Sequence, residues 1–263
     1  MRSPLSPTPR PARRRKSAAV CLLSAAALAL AVPGVAHAGV IQSLPQNADG
    51  LEQSFSPAYD YDRDGCYATA AISPDGTLNP GLKLGGDVNG HCRDYAQLAN
   101  SNTYSREKCN NGWCAVVYAS YFEKDQATLG PAAIGHRHDW EHVVVWINDN
   151  QVRYVSTSQH SGWKWYPSSQ VRFDGTHPKV VYHKDGASTH FFRLANGNDE
   201  PPENTTGGWF HPRLVGWGGY PAGLRDRLTT ADFGSATIKI TDSTFDDALN
   251  NAKPAGLPFD PYA

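Results

Sequence analysis

The sequence is short of positive charge, of long apolar runs and of the loops that mark common enzymes. Each shortage narrows the field. Over 263 residues, 24 Lys and Arg stand against 25 Asp and Glu. Six of the basic residues (Arg2, Arg10, Arg13, Arg14, Arg15 and Lys16) fall within the first 38 positions, which hold no acid. The other 225 residues therefore carry 18 basic against 25 acidic side chains, a net charge of −7. Such a surface repels nucleic-acid phosphates, and anionic lipid at long range, so no nucleic acid is expected as a partner. Any membrane contact must be peripheral, through a specific headgroup or a bridging cation. After residue 38 no apolar run approaches the ~20 residues of a spanning helix. G-x-S-x-G, Walker, G-x-G-x-x-G and H-E-x-x-H motifs are absent, which removes the readiest enzyme classes.

The N-terminus has its own logic. The basic cluster from Arg10 to Lys16 precedes an apolar stretch, Ser17 to Leu30. Pro33 and Gly34 then break any helix before Ala36-His37-Ala38, an A-x-A cleavage site. Residues 1–38 read as a cleaved secretory signal peptide, too short for a membrane anchor, and paired arginines leave both Sec and twin-arginine export open. The expectation is a secreted, extracellular protein whose mature part is residues 39–263. Cys21 leaves with the signal, and Cys66, Cys92, Cys109 and Cys114 remain. Four cysteines in an exported chain predict two disulfides, with three possible connectivities. Cys109 and Cys114 bracket Asn110-Asn111-Gly112-Trp113, a ready turn, which favours Cys109–Cys114 with Cys66–Cys92. A zinc site lacks the C-x-x-C spacing.

Helical periodicity is scarce and strand signals are common. Trp113 to Phe122 (WCAVVYASYF) is rich in β-branched and aromatic residues. Val143 to Ile147 is a short apolar run, followed by Val152 to Val155 after a turn at Asp149-Asn150. Further strands are expected at Val171–Phe173, Lys179–His183, His190–Leu194 and Thr237–Ile240. Short helices are expected over Asp94–Asn100, Pro221–Thr230 and Phe245–Ala252. No internal repeat or low-complexity linker follows Ala38. This pattern predicts a mainly β fold: one antiparallel β-sandwich or barrel domain with a few peripheral helices.

The chemistry concentrates in Gly135-His136-Arg137-His138-Asp139-Trp140-Glu141-His142. If a strand begins at Asp139, alternation puts Asp139 and Glu141 on one face, with His136 and Arg137 in the incoming loop. Two adjacent carboxylates repel each other unless a proton or a cation sits between them. Mg²⁺ and Ca²⁺ prefer such oxygen ligands. Asp125, at the end of the preceding strand, is placed to close the cage. Trp140 alternates to the opposite face and reads as core. The competing surface reading pairs these acids with Arg137 and Lys124, interactions of little energy. A zinc hydrolase built on His136, His138 and Glu141 is the enzyme alternative. Asp60-Tyr61-Asp62-Arg63-Asp64-Gly65 matches the first half of an EF-hand loop, but its twelfth position is Ala71 rather than Glu. His160, His183 and His190 read as packed or hydrogen-bonded histidines.

The heptapeptide Gly135–Glu141 resembles the signature of the necrosis- and ethylene-inducing peptide 1-like proteins, also called necrosis-inducing proteins. The likeness extends to Ala115–Gln126, Lys179-Val180-Val181-Tyr182-His183 and Asp232-Phe233-Gly234-Ser235-Ala236. Asp64-Gly65-Cys66 with Cys92 resembles the family's common disulfide, and the Cys109/Cys114 pair resembles its four-cysteine, type 2 subgroup. The resemblance implies an actinoporin-like β-sandwich that is a monomeric, non-enzymatic cytolysin or virulence factor. It implies a divalent cation, Mg²⁺ or Ca²⁺, held by Asp125, His136, Asp139 and Glu141. The implied partner is a glycosylated inositol phosphorylceramide headgroup of plant plasma membranes, and Trp217 looks like a rim tryptophan touching membrane or sugar. A plain, non-toxic glycan-binding lectin is the milder alternative. The connection Gln126–Gly135 is longer than in the type 1 pattern.

Overall fold

The computed structural model describes residues 39–160 and 162–263; the expected signal peptide lies outside the described residues. The long apolar runs become strands that are buried on both faces, which is why they read as continuous rather than alternating. In β3 (Trp113–Gln126) the odd residues Ala115, Val117, Ala119 and Tyr121 enter one core, and Val116, Tyr118 and Phe122 enter another. β4 (Gly135–Asn148) divides the same way, with Val144 and Trp146 on one side and Val143, Val145 and Ile147 on the other.

These two strands are the centre of a six-stranded sheet in the order β10-β2-β3-β4-β5-β6. Its other members are β2 (Asn102–Asn110), β5 (Gln151–Gln159), β6 (Gly162–Pro167) and β10 (Arg213–Gly216). A smaller sheet is built from β1 (Ala58–Tyr61), the two-residue β7 (Phe173–Asp174), β8 (His177–Lys184) and β9 (His190–Leu194). Tyr59, Tyr61, Tyr182 and Phe192 from this sheet join one core with Phe122. On the far side of the large sheet, the other core is capped by α3 (Leu224–Thr229), α4 (Phe245–Ala252) and the C-terminal segment through Phe259. In α4, Phe245, Ala248, Leu249 and Ala252 form the buried i, i+3, i+4, i+7 stripe that ties it down. A short α1 (Gly50–Ser54) and α2 (Tyr95–Ala99) complete the α-helices among the described residues.

The expected hairpin forms as read, with Asp149 and Asn150 at φ 51° and 54°, the left-handed pair that a two-residue turn between twisted strands requires. Both expected disulfides form, Cys66–Cys92 and Cys109–Cys114. Replacing Cys66 and Cys92 with Ala opens a span of 26 residues and is expected to cost about 3 kcal/mol in denaturant unfolding. Removing Cys109–Cys114, which spans 5 residues, should cost less; equal losses would refute the loop-closure account.

The structure also departs from the sequence reading. The sandwich is not wholly antiparallel, because β1 pairs with β8 and β10 with β2 in parallel. Thr237–Ile240 is no strand: Ile238 and Ile240 are buried in the core, but the Lys239 N–H donates to His142 Nε2 and the Ile240 carbonyl accepts from Arg106. Burial of an irregular segment produced the alternation there. Only Phe173 of Val171–Phe173 is in a strand, since the Val171 N–H closes a turn on Ser168. The helix expected from Pro221 starts at Leu224, after Gly223 in the left-handed region (φ 77°).

Candidate metal centre

β3 and β4 pair without a break in register from Trp113↔Asn148 to Gln126↔Gly135. His136 and Arg137 therefore lie in the strand and not in the incoming loop, because β3 runs past Phe122 to Gln126 and keeps them paired. Asp125 stands opposite His136, and Phe122 opposite Asp139. Strict alternation would send Asp125 and His136 to the face opposite Asp139, since His136 lies three residues from Asp139 and Asp125 three from Phe122, the partner of Asp139. The ladder skips from Phe122↔Asp139 to Lys124↔Arg137, and in that gap His138 takes φ 59°. No residue is inserted there, so the register holds, but the left-handed backbone at His138 takes the strand out of strict alternation. Asp125, His136 and Asp139 converge as a result, each with one ligand atom within 4.8 Å of the others.

The surrounding groups prepare these atoms. His136 Nδ1 lies 2.6 Å from the His138 carbonyl oxygen. A carbonyl can only accept, so Nδ1 carries the proton and Nε2 keeps a free lone pair, the form that binds metal. Asp125 is 2% exposed and accepts from the His190 N–H at 2.8 Å and from its Nδ1 at 2.6 Å. Burial alone would lower the His190 pKa, but its bond to Asp125 and the Asp64 carboxylate 3.7 Å from its Nε2 raise it to about 9, leaving it cationic at neutral pH. Tyr182 is stacked between Phe122 and His190, at 3.8 and 4.9 Å between ring centres, and its hydroxyl donates to Asp139 Oδ2 at 2.9 Å.

Two further carboxyls are starved of water. Burial, then repulsion from Asp125, pushes Asp139 up to about 7. Burial, then repulsion from Asp139, holds Glu141 well above the usual carboxylate range, although the Ser158 hydroxyl donates to it. Such carboxylates ionise together when a cation lies among them. Oxygen donors with one imidazole, on strands rather than loose loops, fit a hard divalent ion. Glu141 stands outside the three converging residues. It borders a cleft of about 560 Å³ shared with His142, Trp163, Lys239 and Asn251.

The family model for "Necrosis inducing protein (NPP1)" matches residues 49–252, which include every residue of this cluster. The chain belongs to the necrosis-inducing protein family. It is 32% identical over 243 residues to necrosis-inducing protein NPP1 of Phytophthora nicotianae, covering 88% of this chain and 96% of that one. Among solved structures it resembles necrosis and ethylene inducing protein 2 from the agent of cocoa's witches' broom disease, with TM-score 0.70, 30% identity and coverage of 81% and 95%. NLPPya in complex with mannosamine gives TM-score 0.68, 31% identity and coverage of 81% and 96%. The non-toxic HaNLP3 protein gives TM-score 0.68, 29% identity and coverage of 84% and 100%. The actinoporin-like sandwich expected from the resemblance is therefore the fold of this chain.

Other residues singled out in the sequence fall elsewhere. His138 turns to the far side of the large sheet, with Nδ1 2.6 Å from the Tyr121 hydroxyl and its ring against Phe233. His136, His138 and Glu141 therefore form no zinc triad. Trp140 is core, 5% exposed among Tyr104, Tyr121 and Phe233. Trp217 is held between the Arg106 and Arg225 guanidinium groups, at 4.2 and 4.8 Å. Arg106 pairs with Val117, eight residues from Asp125 along β3, or roughly 26 Å at strand rise. Trp217 is thus not brought to the cluster.

The EF-hand-like run also disperses. Asp60 caps the backbone of Glu203 and Asn204, Asp62 pairs with His183 and Arg193, and Asp64 faces Lys184 and His190. Sequence reasoning missed His190, Tyr182 and Asp64 as parts of the cluster. The available signals were Tyr182's place in the Lys179–His183 block and Asp64's place in the acidic run before Cys66.

Proposed function

We propose that this necrosis-inducing protein is a secreted, cation-dependent cytolysin that recognises glycosylated inositol phosphorylceramide headgroups of plant plasma membranes. The observation that carries the reading is the convergence of Asp125, His136 and Asp139 around one point, with Glu141 near enough to be repelled by Asp139 and Asp125. Mg²⁺ or Ca²⁺ there would offer open coordination positions to sugar hydroxyls. The chain's own residues do the positioning. His190 and Tyr182 orient Asp125 and Asp139, the His138 carbonyl fixes the His136 tautomer, and Ser158 holds Glu141 in reach. The mannosamine and glucosamine complexes of NLPPya support a sugar as the ligand.

Thermal unfolding of chelator-treated protein tests the cation directly. Mg²⁺ or Ca²⁺ at 100 times its dissociation constant is expected to stabilise by about 2.7 kcal/mol, and K⁺ at equal ionic strength should not. No response to either divalent ion would remove the cation from the mechanism. Dye release from vesicles containing the plant sphingolipid then separates cytolysin from lectin, since cation-dependent binding without leakage would identify a glycan binder only.

A further inference from the structure

The ladder that sets Asp125 opposite His136 continues for one more pair, Gln126↔Gly135, and then opens into residues 127–134. From Ala127 to Gly135 the chain reads ATLGPAAIG, nine residues without a charge. Leu129 and Ile134 are 68% and 64% exposed. The other exposed large hydrophobics among the described residues, Tyr95, Trp165 and Tyr262, are all aromatic. A single exposed Leu or Ile needs no explanation. Here both exposed aliphatic side chains stand on one short loop, with Pro131 and Ala132 exposed between them.

Backbone bonds hold this loop in place. The Ala127 N–H donates to the Ile134 carbonyl at 2.8 Å, and the Ile134 N–H to the Thr128 hydroxyl at 2.9 Å. The Gly130 N–H donates to the Gly86 carbonyl at 3.0 Å, and Gln126 Nε2 to the Thr128 carbonyl at 2.8 Å. The apolar tip is therefore presented on a pinned base, one residue pair beyond the cluster.

We propose that loop 127–134 inserts into the interfacial region of a lipid bilayer, Leu129 and Ile134 entering it as the cluster engages a headgroup. The inference rests on the headgroup reading above and names what that reading lacks, an apolar hold on the membrane. A chain of net charge −7 beyond residue 38 gains nothing from attraction to anionic lipid, so its bilayer affinity must come from a specific headgroup and buried apolar area. A lipid surface also suits an uncharged tip beside a polar, cation-seeking centre better than a protein groove would, since both halves of the lipid then have a counterpart.

Binding to phosphatidylcholine vesicles containing glycosylated inositol phosphorylceramide, in Mg²⁺, tests it. The double variant Leu129→Asp/Ile134→Asp is expected to lose about 100-fold or more in vesicle affinity. Its affinity for free glucosamine with Mg²⁺ should match the wild type, which shows that the cluster is intact. A nitrobenzoxadiazole label on Leu129→Cys should shift to the blue on vesicle binding, while the same label on Tyr262→Cys should not. Tyr262 lies beside the β2–β3 turn, at the other end of β3. Wild-type vesicle affinity in the double variant, or a silent label at position 129 on bound protein, overturns the inference alone. If the unmodified protein ignores these vesicles, the headgroup reading falls and the inference goes with it.

Discussion

Asp139→Asn is expected to abolish cation-dependent leakage of sphingolipid vesicles, with cation affinity reduced about 100-fold or more. The amide keeps the volume of the carboxylate and can still accept from the Tyr182 hydroxyl that holds Asp139 Oδ2. What disappears is one negative charge from a cluster in which Asp125, Asp139 and Glu141 are all buried. Without a divalent ion that charge is a burden, because Asp139 is raised to about 7 by burial and by Asp125. The metal-free variant should therefore melt no lower than the metal-free wild type. With Mg²⁺ or Ca²⁺ only the wild type should gain. Calorimetric titration and dye release read the two effects separately. Leakage at the wild-type level, with the stabilising response to Mg²⁺ intact, would exclude Asp139 as a ligand.

Gly135→Ala is expected to lower stability by about 4 kcal/mol and to weaken cation binding with it. Gly135 has φ 140°, and a Cβ built there would sit 2.1 Å from the Asp125 carbonyl oxygen. That neighbour is backbone, so no side chain can swing away to relieve the contact. The strands must part at the pair that adjoins Asp125 and His136. Gly130→Ala is the control, also at positive φ (88°) but with nothing within 4 Å of its Cβ. It carries the conformational penalty alone, about 1 kcal/mol. Equal denaturation midpoints for the two variants would show that close approach at Gly135 is not what requires glycine.

How much was legible in the sequence varied by element. The runs in β3 and β4 were visible because both of their faces are buried, so nearly every residue in them is apolar or aromatic. β2 (NTYSREKCN) and β6 (GWKWYP) escaped notice because they lie nearer the edges of the sheet and mix polar with aromatic residues. The parallel pairs β1–β8 and β10–β2 join segments more than a hundred residues apart, and no local pattern reports such a meeting. His136, Asp139 and Glu141 stood out by their density in the heptapeptide and Asp125 by its place at the end of the preceding strand; of these four, Asp125, His136 and Asp139 converge. His190, called a packed histidine, is packed and is also the cationic partner of Asp125. Trp217 was singled out by the glycines around it, but its ring lies between two arginines.

The amino-acid order alone determined the β class, the turn at Asp149-Asn150, the local Cys109–Cys114 bridge and the acidic signature, because each depends on neighbours within a few residues or on composition. Tertiary structure decided which of the nominated groups meet. The left-handed backbone at His138 breaks strict alternation in β4, Asp125 and His136 meet Asp139, and the β8–β9 hairpin delivers Tyr182 and His190 against them. A period-two reading of the strand places those side chains on opposite faces, and only the kinked ladder under its second sheet brings them together.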